Sequence, residues 1–157
     1  MFGLFKKSKK IEIFSPLTGE VLDIENVPDE VFSQKLVGDG IAIIPSSSVV
    51  VSPIKGVISR IFPTKHAFSI KGNNIEIMIH IGLDTVSLQG EGFEALAKEG
   101  DKVEIGTPII RIDKDYLISQ GKNIITPIIV SSQKDITIKK SNSTTIKEGA
   151  LLLEVVS

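Results

Sequence analysis

Cysteine and histidine do most of the nucleophilic, metal-holding and proton-shuttling chemistry of proteins at neutral pH, and this 157-residue chain has no cysteine and two histidines, His66 and His80. The missing thiols remove disulfides, thiolate zinc sites and thiol nucleophiles. Two histidines are too few for a three-histidine zinc site within one chain. The common catalytic loops are missing as well: there is no G-x-G-x-x-G, no Walker A loop, no H-E-x-x-H and no G-x-S-x-G. Gly38-Asp39-Gly40 is a turn without the following Lys-Ser/Thr that a phosphate cradle needs. Chemistry, if any, falls to the histidines.

His80 ends the run Ile75-Glu76-Ile77-Met78-Ile79-His80-Ile81, in which isoleucine takes every odd position. Side chains alternate faces along a strand, so the isoleucines face a core and Glu76, Met78 and His80 face outward. His66, in His66-Ala67-Phe68-Ser69-Ile70, shares a face with Phe68 and Ile70 and is expected to be partly covered. The two strands flank Gly72-Asn73-Asn74, and a turn centred near residue 73 sets His66 opposite His80. A three-residue loop or a bulge would move that pairing by one position. Two neighbouring imidazoles suit two chemistries. One ring can take a phosphoryl group on its free nitrogen while the other donates a hydrogen bond to the anion. Alternatively, the two make half of a tetrahedral zinc site.

The elements that must position these rings are strands. Ile occurs 26 times and Val 13 times, whereas aromatics are 5% of the chain and Trp is absent. Such β-branched residues favour pleated, half-buried surfaces. From Ile11 onward, short apolar runs alternate with Gly, Pro and Ser at intervals of roughly ten residues, the pattern of a sandwich or barrel. The expected fold is therefore all-β, an antiparallel sandwich with a few short helical turns at Asp29–Lys35, Gly92–Gly100 and Asp113–Gly121. Two pairs of segments look alike. Ser15-Pro-Leu-Thr-Gly-Glu-Val21 matches Ser52-Pro-Ile-Lys-Gly-Val-Ile58, and both Glu99–Pro108 and Ile146–Ala150 deliver a Gly-terminated turn into an aliphatic strand. They suggest two related β-motifs packed together. Residues 1–10, with Phe2, Leu4 and Phe5 among four lysines, read as a flexible tail with at most peripheral membrane contact, and residues 11–157 as a single domain. Lys+Arg 18 against Asp+Glu 19 leaves a net charge of −1 and no footprint for duplex nucleic acid. No apolar run reaches the roughly 18 residues that span a bilayer, and no signal-type segment follows Lys6 and Lys7. The expected location is cytoplasmic.

Several long segments resemble one known family in order: 27–43 (Val-Pro-Asp-Glu-Val-Phe-Ser-Gln-Lys-Leu-Val-Gly-Asp-Gly-Ile-Ala-Ile), Thr64-Lys-His-Ala-Phe-Ser-Ile70, His80-Ile-Gly-Leu-Asp-Thr-Val86, Gly90-Glu-Gly-Phe93 and Thr126-Pro-Ile-Ile-Val130. The family is the glucose-type enzyme IIA of the bacterial sugar phosphotransferase system, and the resemblance runs from about Ile11 to Val155. It implies a sandwich of duplicated, barrel-like halves and a phosphoryl carrier working through phosphohistidine. His80 is then the acceptor at Nε2, Gly82 holds its Nδ1–H by a backbone carbonyl, His66 is the partner imidazole and Thr64 orients it. Asp29 and Asp84 match rim carboxylates that meet arginines on a partner. Val31, Phe32, Val37, Phe62 and Met78 match the apolar docking patch, where the family often has Phe at position 78. The implied donor is the small carrier HPr and the implied acceptor a cysteine of a IIB domain, with no cofactor required.

Two other readings stand beside it. A regulatory module would dock transporters or metabolic enzymes through the same face, with zinc bridging His66, His80 and a partner carboxylate. A biotinyl or lipoyl carrier would modify Lys55, which sits between Ile54 and Gly56 rather than between two apolar residues and so fits poorly.

Overall fold

Residues 9–157 are described by the structure, a computed structural model. The tail proposed for residues 1–10 lies largely outside them, and Lys10 already belongs to the first strand.

The chain builds one half of the sandwich, interrupts it with the whole of the other half, and then completes the first. The first half opens with β1 (Lys10–Phe14), β2 (Gly19–Asp23) and β3 (Asp39–Pro45), the last two joined by a segment carrying the short helix α1 (Glu30–Ser33). The inserted half runs through β4 (Val49–Val51), β5 (Gly56–Ile61), β6 (Ala67–Gly72), β7 (Ile75–His80), β8 (Phe93–Ala95), β9 (Lys102–Val103) and β10 (Pro108–Ile112). Helix α2 (Lys114–Ser119) leads back to β11 (Thr126–Ser132), β12 (Thr137–Lys140), β13 (Thr145–Ile146) and β14 (Leu151–Val156). All pairings are antiparallel. An eight-stranded sheet has the order β13-β2-β3-β11-β7-β6-β5-β9, and two three-stranded sheets have the orders β1-β14-β12 and β4-β10-β8.

These orders are the expected duplication in three dimensions. β13-β2-β3-β11 mirrors β9-β5-β6-β7 across the sheet centre, where Ile128 pairs with Ile79. The two Ser-Pro turns are equivalent to the hydrogen bond. Ser15 Oγ donates to the Leu17 carbonyl at 2.6 Å and Ser52 Oγ to that of Ile54 at 2.7 Å. Phe14 N donates to Pro53 O while Val51 N donates to Pro16 O, each at 3.0 Å. The second repeat docks on the first in both halves: Gly149 N reaches Ser15 O and Gly106 N reaches Ser52 O, each at 2.9 Å. Gly19 and Gly56 share one reason for being glycine, since a Cβ would lie 2.1 Å from the carbonyl oxygen of Ile44 or Lys71.

One face of the large sheet carries Ile41, Ile43, Phe68, Ile70, Ile77, Ile79, Ile128 and Val130 into the main core, against Ile13, Val50, Ile110 and Leu153 of the small sheets. The other face carries a second, smaller cluster, in which Ile24, Val27 and Phe32 of the β2–β3 connection cover Ala42 and Ile129. Met78 and His80 lie on this second face.

The expected helical turns at Asp29–Lys35 and Asp113–Gly121 are α1 and α2, N-capped by Asp29 and Asp113. The turn expected at Gly92–Gly100 is not helical. Its Phe93, Leu96 and Ala97 spacing fits a helix face, but β8 pairs along β10 instead, Ala95 opposite Ile110, and Leu96 N donates to Ile109 O at 2.8 Å. The unsatisfied edge of β10 decides it, because backbone hydrogen bonds left open at a core edge cost more than a short helix returns.

Candidate functional site

The β6–β7 hairpin sets the site. Asn73 and Asn74 both adopt positive φ, 53° and 65°, so the loop has two residues and closes on Gly72 opposite Ile75. Ala67, rather than His66, therefore pairs with His80. This corrects the register expected from a turn centred on residue 73 by one position: tandem asparagines accept the left-handed conformation that a tight two-residue hairpin needs. The outward parity of His80 holds. Ile75, Ile77, Ile79 and Ile81 are buried, whereas Glu76, Met78 and His80 are half-buried on the opposite face.

The imidazoles still meet. His66 ends the β5–β6 connection just before β6, and its carbonyl accepts from Ile81 N at 2.6 Å, tying the two histidine backbones together. The ring centroids are 5.0 Å apart and edge-to-face at 80°. Phe32 of α1 packs on His80 at 5.1 Å, and Phe62 packs edge-on against His66 at 5.4 Å. Of the residues expected in a docking patch, Val31 and Val37 are exposed and Phe32 is buried. Met78 and Phe62 are half-buried.

Each ring is oriented through Nδ1. His80 Nδ1 lies 2.8 Å from the carbonyl oxygen of Gly82. A carbonyl only accepts, so Nδ1 carries the proton and Nε2 keeps a free lone pair. Gly82 has φ +74°, and a Cβ there would sit 2.6 Å from Thr85 Cγ2 and 2.9 Å from Asn123 O. Glycine thus lets the carbonyl turn toward the ring. Thr64 Oγ1 meets His66 Nδ1 at 2.5 Å. Burial, reinforced by the neighbouring His80, pushes His66 down to about 4. Burial also lowers His80, against the opposing pull of the Gly82 carbonyl and the Asp29 carboxylate. Both rings are neutral at pH 7.

The two expected carboxylates are near and already engaged. Asp29 Oδ1 accepts from Val31 N at 3.0 Å as the N-cap of α1. Asp84, at φ 56° two residues beyond Gly82, holds Lys122 Nζ at 3.0 Å. Among the described residues, no group of three or more His, Cys, Asp or Glu could hold a metal ion. No helix among them is long and apolar enough to cross a membrane.

The described face thus holds two neutral imidazoles packed edge-to-face, one of them half-buried on a strand. Residues 11–136 match the family described as phosphoenolpyruvate-dependent sugar phosphotransferase system, EIIA 1. The chain belongs to this EIIA family. Among relatives of this EIIA is the "PTS system glucose-specific EIIA component" of Buchnera aphidicola subsp. Acyrthosiphon pisum (strain APS), 47% identical over 153 residues, covering 97% of this chain and 95% of that one. The component of the same name from Staphylococcus epidermidis is 49% identical over 134 residues, 84% of this chain and 81% of its own. In structure, the glucose permease IIA from Mycoplasma capricolum superposes with a TM-score of 0.88 at 34% identity, over 93% of this chain and 96% of its own. This EIIA is thus a β-sandwich phosphoryl carrier of the sugar phosphotransferase system, a phosphotransferase component, rather than a swinging-arm carrier. Lys55 is a turn residue in an exposed ion pair with Glu104.

Sequence reasoning passed over other residues of this EIIA face. Arg60, near the end of β5, stacks its guanidinium 3.9 Å above the ring of Phe62 in the β5–β6 connection. Leu36 and Val86 are exposed apolar residues on the α1 segment and just past Asp84. Lys122 reaches Asp84 because Leu83 N bonds Asn123 O at 2.9 Å, a long-range bridge that carries no local signal.

Proposed function

We propose that this EIIA takes a phosphoryl group from the phosphohistidine of HPr on Nε2 of His80 and passes it to a cysteine thiolate of a IIB domain, in the cytoplasm, for uptake of glucose or a related sugar. The Nε2 lone pair forms the new N–P bond as the donor's N–P bond breaks and the donor leaves as neutral imidazole. Nδ1 keeps its proton on the Gly82 carbonyl throughout, so no proton transfer is needed. In the second step the thiolate forms S–P, the His80 N–P bond breaks, and the ring returns neutral. The Thr64 hydroxyl donates to His66 Nδ1, which leaves the His66 Nε2–H to donate to the transferred anion. Phe32, Phe62, Met78, Val31 and Val37 exclude water on docking and protect the phosphoramidate from hydrolysis. The carrying observation is the 2.8 Å contact between His80 Nδ1 and the Gly82 carbonyl, which leaves Nε2 bare beside a second ring. The glucose assignment follows the relatives, which are glucose-specific EIIA components.

This transfer uses no cofactor. A zinc ion at this face would find two imidazoles and need its remaining ligands from a partner. The test is incubation with phosphoenolpyruvate, enzyme I and HPr, followed by mapping of the labelled residue. Label on His80, absent from His80→Ala, is expected. Label that persists in His80→Ala contradicts the assignment.

A further inference from the structure

The two carboxylates beside the histidines are not equally free. Asp29 makes no ion pair among the described residues and spends one oxygen on the Val31 backbone N–H. Asp84 is held by Lys122 at 3.0 Å, and the partners differ sharply: the Asp84 side chain is 75% exposed and that of Lys122 is 18% exposed. The lysine stem is packed, its ammonium is delivered to one carboxylate oxygen, and the Leu83–Asn123 backbone bridge holds the two segments together. Such a pair is set before any partner arrives. It also lies at the rim of the site, because Asp84 follows Gly82, which orients His80, and precedes the exposed Val86.

A partner presenting a cation to Asp84 must therefore compete with a resident one. An incoming lysine would exchange one ammonium for another and gain nothing net. An incoming arginine gains, since its planar fork can take both carboxylate oxygens where Lys122 takes one. Resting on the reading of this face as the docking surface for HPr and the IIB domain, we propose that Lys122 is a specificity-determining residue: it occupies Asp84 in the free protein and admits arginine-bearing partners over lysine-bearing ones. Competition by a resident group is a form of discrimination against the wrong partner, at some expense of affinity for the right one. Because the carboxylate is exposed, the effect is modest.

The test measures dissociation constants of HPr for the wild-type protein, Lys122→Met, Lys122→Arg, Asp84→Asn and the Lys122→Met/Asp84→Asn pair, alongside phosphoryl transfer and thermal unfolding. Methionine keeps the packed stem and removes the charge. Lys122→Met is expected to tighten HPr binding about two- to five-fold, the range of one exposed ion pair. Lys122→Arg stays at or below wild-type affinity. In the Asp84→Asn background Lys122→Met changes nothing. A purely structural role predicts the opposite sign, weaker binding with a lower melting temperature. Unchanged or weaker binding by Lys122→Met, or tightening that survives Asp84→Asn, overturns the inference while transfer to the wild type leaves the functional reading intact. Absence of any transfer from phospho-HPr to the wild type would overturn both.

Discussion

The equivalent positions of the two halves carry an imidazole in one and an isoleucine in the other. Ala67 pairs with His80 in β6–β7, and Gly40 pairs with Ile129 in β3–β11. Aligning the Gly19 and Gly56 ladders makes these two pairs counterparts. What differs is the cover. In the first half the β2–β3 connection, residues 24–38, is long enough to fold back with α1 and place Ile24, Val27 and Phe32 over the sheet, so Ile129 is buried. In the inserted half the β5–β6 connection, residues 62–66, is too short to cover its own strand ends. It supplies His66 and Phe62 at the rim instead. His80 is left half-open on a strand that the hairpin and β11 hold rigid, with Phe32 of the other half overhanging it. Duplication provides the scaffold, and the shorter loop leaves His80 half-open.

Substitution at the two counterparts should separate chemistry from packing. His80→Ala is expected to abolish phosphoryl acceptance while unfolding remains cooperative. Ile129→Ala is expected to keep acceptance and lower stability by about 2–5 kcal/mol, the usual range for truncating a buried isoleucine. Equal loss of acceptance in both would erase the distinction between reactive and covered halves. His66→Gln loses the ring that Thr64 holds at Nδ1, and with it the oriented N–H donor. It should still accept from HPr yet pass the group to the IIB cysteine slower by on the order of 10²-fold, as removal of one oriented donor does. Single-turnover transfer measures it. Gly82→Ala meets both a left-handed backbone and Thr85 Cγ2 at 2.6 Å, so a loss of about 1–3 kcal/mol in chemical denaturation is expected, with slowed acceptance as the carbonyl leaves Nδ1. Ser15→Ala and Ser52→Ala, at the turns where the halves are alike, should each cost about 1 kcal/mol and match within about 0.5 kcal/mol. Unequal losses would mean that the turns are similar in shape and not in load.

Acid supplies a finer probe of the same asymmetry. His66 is lowered to about 4 by burial and by His80, whereas the unfolded chain titrates near the ordinary 6.5. Between these values the unfolded state binds more protons, so stability rises with pH across the window. The contribution of His66 is complete above about 6.5 and is lost as pH falls toward about 4. Ring-proton titration by NMR, with unfolding followed at pH 7 and pH 4.5, checks both the value and the sign.

Much of this was legible in the residues. Isoleucine at 75, 77, 79 and 81 placed His80 outward, because strand parity is a local property. The Ser-Pro and Gly-terminated repeats announced the two halves, which the Ser15 and Ser52 turns now match bond for bond. The helical turns expected from Asp29 and from Asp113 are the helices that these two residues cap. What stayed hidden was non-local. β8 is a strand because β10 offers an edge, and its counterpart β12 would have pointed to it had the repeat been extended that far. The hairpin register turned on Asn73 and Asn74 both adopting the left-handed conformation. The engagement of Asp84 by Lys122 depends on a bridge between segments 40 residues apart, visible in no local pattern.

Nitrogen-resolved NMR of the uniformly 15N-labelled protein, before and after phosphorylation through HPr, tests the central assignment most directly. The predicted result is a free protein whose His80 bears hydrogen on Nδ1 and a lone pair on Nε2, and a phosphoprotein whose phosphorus couples to Nε2 of that ring. Coupling to Nδ1, or to any other residue, would contradict the account.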